Sequence, residues 1–173
     1  MKKRTIGLTI ATAMLLAACT KTQSSTITFD TFSTTIKSPY QYTQSRVATE
    51  NVSTQKVYTT SSSGFQWSII IANEAVLSGD SISFANDNLK TLRAGLENRG
   101  KITETKNVEL SCGDIEIPAS ISTIEVNQDG RIRYVSQLYF VYNLKGYVVS
   151  HLTEDESEVS GIQKGLSNIT CEK

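Results

Sequence analysis

Apolar and polar residues trade places at two different periods along this chain, and the changes of period mark its elements. Ile27 and Phe29 alternate with Thr26, Thr28 and Asp30, and Phe32, Thr34 and Ile36 alternate with their neighbours in the same way. A period of two puts one set of side chains on each face of an extended strand, where threonine is at home. Pro39, with Tyr40 and Tyr42, predicts a turn, and residues 52–58 form a weaker strand that stops at Ser61-Ser62-Ser63-Gly64. Phe65, Trp67, Ile69 and Ile71 then share one face of a further strand.

Over residues 81–99 the period changes. Phe84, Ala85, Leu89, Leu92 and Leu96 fall on one helical stripe, and Gly100 stands where a left-handed residue would end the helix. Extended pieces follow at 102–110 and 115–121. Asn127-Gln128-Asp129-Gly130 carries the Asp-Gly pair that tight hairpins favour. Residues 131–142 predict the longest strand. Ile132, Tyr134, Leu138, Phe140 and Tyr142 lie on one face and Val135, Tyr139 and Val141 on the other, so both faces are expected to be covered near its centre. Residues 147–152 return beside it. Thr153 and Glu156 have capping-box spacing, and Val159, Ile162, Leu166 and Ile169 form the inward stripe of a final helix. Gly161 and Gly165 weaken that helix and are expected to let it sit close on the sheet. About six or seven mostly antiparallel strands flanked by helices make an α+β fold.

The first residues follow a different pattern. Lys2, Lys3 and Arg4 precede an apolar run from Ile6 to Ala18, and no acidic residue occurs before Asp30. A charged start and a short apolar run are the parts of a secretory signal. The run is too short to span a bilayer, which needs roughly 20 apolar residues. It ends in Leu16-Ala17-Ala18-Cys19, which matches the lipobox of bacterial lipoproteins residue for residue. The organisation expected is a signal over 1–18, lipidated Cys19 with a polar tether over 19–25, and one domain over 26–173. Several acyl chains on one cysteine can hold a domain at a membrane without a spanning helix. Thr20, rather than aspartate, follows the cysteine. By resemblance to the sorting rule of such lipoproteins, the anchor is expected in the outer membrane, facing the periplasm.

Composition narrows the function. The chain has 17 basic and 17 acidic residues, and removing the signal takes three basic ones, leaving a net charge of −3. No basic patch argues for nucleic acid, and no polybasic run for a second membrane contact. Cys112 and Cys171 remain for an oxidising compartment. A disulfide between them would close a loop and tie the last helix to the sheet, with two buried thiols as the alternative. No C-x-x-C pair suggests redox chemistry.

The order of these pieces resembles the fold family of the photosystem extrinsic protein PsbP and the bacterial envelope lipoprotein DcrB. The likeness is carried by Phe32-Ser33-Thr34-Thr35-Ile36-Lys37-Ser38-Pro39-Tyr40-Gln41-Tyr42, by residues 69–96, by 130–142, and by Lys145-Gly146-Tyr147-Val148-Val149 with the capped helix. Tyr42 stands where that family often has tryptophan. The resemblance implies a PsbP-like α/β/α sandwich and a role in binding proteins. It carries over no catalytic motif, because fold does not by itself fix chemistry.

The residues themselves point the same way. His151 is the single histidine, so no histidine-based metal cluster and no Ser-His or Cys-His pair can form without it. No G-x-S-x-G elbow or phosphate-cradling glycine loop is present. Glu154, Asp155, Glu156 and Glu158 read as a solvated helix start, and Asp114 with Glu116 as a wet strand face. No catalytic residue, metal ligand or cofactor is assigned. Trp67, Tyr134, Tyr139, Tyr142 and Tyr147 are the candidate binding surface, since amphipathic rings dominate interface hot spots. The expected function is a non-enzymatic periplasmic lipoprotein that binds another envelope or secreted protein. The alternatives are an immunity or inhibitor protein acting against a periplasmic toxin or hydrolase, and a small-ligand carrier with an apolar pocket between helix and sheet.

Overall fold

The computed structural model describes residues 23–29, 32–38, 42–50, 53–60, 68–76 and 80–171. The expected signal, Cys19 and Trp67 lie outside the described residues. Five strands come first: β1 (Gln23–Phe29), β2 (Phe32–Ser38), β3 (Tyr42–Glu50), β4 (Ser53–Thr60) and β5 (Ser68–Ala75). Helix α1 (Ser81–Leu96) leads into β6 (Gly100–Cys112), β7 (Ile115–Gln128), β8 (Arg131–Tyr142) and β9 (Lys145–Thr153). A 3-10 turn (Glu156–Glu158), α2 (Val159–Leu166) and the short β10 (Thr170–Cys171) close the order.

The fold is α+β, with antiparallel sheets. Where the sequence predicts six or seven strands flanked by helices, four strands, β6 to β9, form the described packed body. The backbone ladder runs on from β9 through β5 and β4 to β3. A smaller sheet has the order β1-β2-β10. Strand β1 starts at Gln23, inside the stretch expected as tether, and Ser25 is buried between exposed Ser24 and Thr26. Small hydroxyl side chains take part in a strand as readily as they form a tether, so composition alone does not separate the two.

Both faces of the packed sheet are covered. Leu138, Phe140, Tyr147 and Val149 pack with Leu166 of α2 on one face. Tyr139, Val141 and Val148 pack with Phe84, Ala85 and Leu89 of α1 on the other. Phe140 and Tyr147 stack with ring centroids 4.9 Å apart, worth about 1 kcal/mol beyond their burial. The longest strand is β7, at 14 residues, not β8 at 12. Its Ser120, Ser122 and Thr123 break the apolar alternation and are nevertheless buried, with Thr105 and Ser122 joined hydroxyl to hydroxyl at 3.0 Å.

The helix ends differ from the expected ones. Asp80 caps α1 by accepting from the backbone N–H of Ile82 and Ser83, and these bonds with the Ser83 hydroxyl hold its carboxyl below the usual range. Glu97, not Gly100, takes the positive φ after α1, at 47°. Gly100 is required for a different reason: a Cβ there would come within 2.5 Å of the Glu125 carbonyl oxygen on β7. At the last helix the Thr153–Glu156 box does not form. Asp155 caps the 3-10 turn through Ser157, Thr153 accepts from the Asp155 N–H, and α2 begins only at Val159. Three consecutive acidic residues offer competing caps, and the aspartate, with the shorter reach, takes the turn. Gly161 and Gly165 do not face the sheet, since a Cβ at either meets nothing within 4 Å.

Candidate functional site

A polar row crosses the sheet beneath the beginning of α2. Glu104 on β6 lies opposite Thr123 on β7, Thr123 opposite Ser136 on β8, and Ser136 opposite His151 on β9. Gln163 of α2 closes over the row, although it is only 6% exposed. Its amide nitrogen donates to the Thr123 hydroxyl at 2.6 Å and to the Glu104 carboxylate at 2.8 Å. Its carbonyl oxygen accepts from Lys106 Nζ at 2.6 Å. Every polar atom of the Gln163 amide is therefore used, which is what its burial requires. Sequence reading passed over Gln163. Its signal is positional: it stands four residues after Val159, within the apolar stripe, where a polar residue must find buried partners.

His151 is 1% exposed, and burial pushes its pKa down to about 4, so the imidazole is neutral at ordinary pH. Ser136, likewise 1% exposed, has a hydroxyl with no hydrogen-bond partner among the described residues. A serine facing a neutral imidazole is the pair that acyl transfer uses. In this conformation the layer that carries α2 covers both, and no substrate carbonyl reaches the Ser136 oxygen. Among the described residues no group of His, Cys, Asp and Glu is placed to hold a metal.

The row opens at its β6 end into a groove of about 470 Å³ between the sheet and α2. Glu104, Lys106, Thr123, Tyr134, Glu156 and Gln163 line it. Glu156 accepts from the Tyr134 hydroxyl at 3.1 Å. Partial desolvation, and then the Glu156 carboxylate, raise the Tyr134 phenol above its usual pKa. Glu125 at the rim is paired with Lys101 at 3.2 Å, and Arg133 pairs with Glu154 at 3.1 Å just outside. Desolvation, with Asp155 nearby, holds the Glu158 carboxyl above its ordinary range. The groove is open and polar, unlike the closed apolar pocket of a carrier.

A second open groove, of about 490 Å³, lies on the α1 face between Asp87, Leu92, Gln137 and Val148. Tyr139 forms part of its wall, donating its hydroxyl to the Gln137 side-chain oxygen, while Gln137 Nε2 donates to Ser150 Oγ at 2.9 Å. Burial pushes the Tyr139 phenol well up.

The expected aromatic surface divides. Tyr139 and Tyr147 are 2% and 0% exposed and belong to the core, contrary to expectation. They sit near the middle of a sheet covered on both faces, where the large apolar ring decides the location, and the Tyr139 hydroxyl finds a partner in Gln137. Tyr142 is half-buried against the α2-side core. Tyr134 opens onto the α2-side groove, and Tyr139, although in the core, also walls the α1-side groove. Cys112 is disulfide-bonded, and β10, which carries Cys171, lies against β6, which ends at Cys112. Among the described residues no helix is long and apolar enough to cross a membrane.

No protein-family model matches the chain, and no curated protein matches it significantly. Among solved structures the chain is similar to a crystal structure of PA94 from Pseudomonas aeruginosa, a protein of unknown function. The two are 13% identical with a TM-score of 0.49, over 73% of this chain and 94% of that one.

Proposed function

We propose that this chain is a non-enzymatic lipoprotein of the cell envelope, held by lipid on Cys19 at the periplasmic face of the outer membrane, whose domain binds another envelope or secreted protein. The observation that carries the reading is Leu16-Ala17-Ala18-Cys19 at the end of a short apolar run behind Lys2, Lys3 and Arg4. A lipid-held domain works on whatever comes within reach of its anchor, and the sole histidine is withdrawn into the core rather than offered to a substrate. The finer fold reading, a PsbP-like sandwich, is supported by helices packed on opposite faces of an antiparallel sheet.

Labelled palmitate fed to producing cells should enter the protein, and C19S should abolish the label and release the domain into the soluble fraction. Globomycin should leave a larger precursor. An unlabelled, freely soluble wild-type chain would refute the anchor. A crosslinking pull-down from intact cells should recover a protein partner. Recovery of none, beside a purified domain that turns over substrate, would refute the binding role.

A further inference from the structure

We infer that the groove between β6 and α2 is where the partner docks, and that it takes a lysine or arginine side chain from an extended segment of that partner lying along the outer edge of β6. This rests on the protein-binding reading above. Strand β6 ends the larger sheet, and no described strand pairs with its outer edge, although β10 lies against it. A sheet edge presents unpaired backbone donors and acceptors that an extended peptide can satisfy, with pockets beside the edge selecting its side chains. The register slips between Ile102 and Glu104, but from Glu104 to Val108 each residue has one partner on β7. That regular stretch borders the groove. Glu104 and Lys106, two residues apart, both bond Gln163 and therefore face the groove side.

The charge of the lining selects a cation. Glu125 is neutralised by Lys101, and Lys106, bonded to the neutral Gln163 amide, keeps its charge and offsets one of the two remaining carboxylates, Glu104 and Glu156, which leaves the lining with a net charge of −1. Glu104 and Glu156 accept only from neutral groups among the described residues, an amide and a phenol. Each carboxylate keeps unused acceptor capacity, and a cationic side chain with several donors fits between them. Inward from the groove the polar row continues beneath α2, closed to solvent. The Ser136 hydroxyl, buried and unpartnered among the described residues, lies on the face shared with Thr123 beside it and Tyr134 two residues before it, both of which line the groove.

The test places a photo-crosslinking benzoylphenylalanine at Ser160 or Asn107, beside the groove and on the β6 edge, and at Arg93 on α1 as control, in the full lipidated chain in producing cells. Adducts to a partner should form at Ser160 and Asn107, and the crosslinked partner peptide should contain lysine or arginine. The double variant E104Q/E156Q should lower the yield at least tenfold. E156Q alone, at a carboxylate whose one side-chain hydrogen bond among the described residues is to Tyr134, should lower it several-fold with an unchanged melting temperature. The inference is overturned, with the protein-binding reading intact, by adducts at Arg93 only, by a yield indifferent to both variants, or by a crosslinked segment without a basic residue. A second copy of this chain or a lipid as the adduct also overturns it. Absence of any protein adduct, at these or other surface positions, removes the binding reading itself.

Discussion

Among single residues, His151 makes the clearest statement about conditions. Its folded pKa of about 4 lies below the ordinary 6.5, so the unfolded chain takes up a proton at mildly acid pH that the folded chain refuses. The stability this contributes is fully present above pH 6.5 and is lost as pH falls from there toward 4. Between pH 7 and pH 5 the loss should be about 2 kcal/mol, at 1.36 kcal/mol per unit. Urea unfolding at the two pH values measures it, and H151L should flatten that slope. An equal slope in H151L would show that other groups carry it. Gly146 makes a steric statement at the same scale. A Cβ there would lie 2.4 Å from the buried Phe84 ring, so G146A must displace that ring in the α1 interface and should cost roughly 1–3 kcal/mol, read as a lowered melting temperature.

At the scale of elements, α2 is short and carries two glycines with nothing near them. G161A gains helix propensity without a clash, and thermal melts should rise by the equivalent of up to about 1 kcal/mol. A fall instead would mean that Gly161 meets something the described packing does not contain. The sequence reading of these glycines as close-packing residues fails because the spacing that put Leu166 inside does not say which neighbours fall outside. Elsewhere periodicity served well. The stripe of Phe84, Ala85 and Leu89 and the two-sided burial of β8 were legible because apolar period and position agree there. The polar row was not legible. Glu104, Thr123, Ser136 and His151 are scattered through the chain, and only the register of three ladders brings them together. Tyrosines told least, because a ring suited to an interface is equally suited to a core.

For the whole molecule, the question is what joins the small sheet to the large one. Between β10 and β2 only two residue pairs stand in register, Thr170 with Ser33 and Cys171 with Phe32. Helix α2 also lies on β2, as does β10 on β6. Cys112, at the end of β6, is disulfide-bonded. If lipid occupies Cys19, the only thiol left to partner it is Cys171, so the bridge would run from the last strand of the small sheet to the edge strand of the large one. Such a bond closes a loop of about 60 residues and restricts the unfolded chain by roughly 4 kcal/mol. Reduction, or C171S, should therefore lower the urea midpoint and steepen the transition, since the released unfolded chain exposes more surface. Amide exchange should rise first in β1, β2 and β10, while the centre of β8 stays protected, because α1 and the stacked Phe140 and Tyr147 hold it without help from the bridge. A midpoint indifferent to reductant, with both cysteines alkylated in the unreduced protein, would mean that packing alone unites the two sheets.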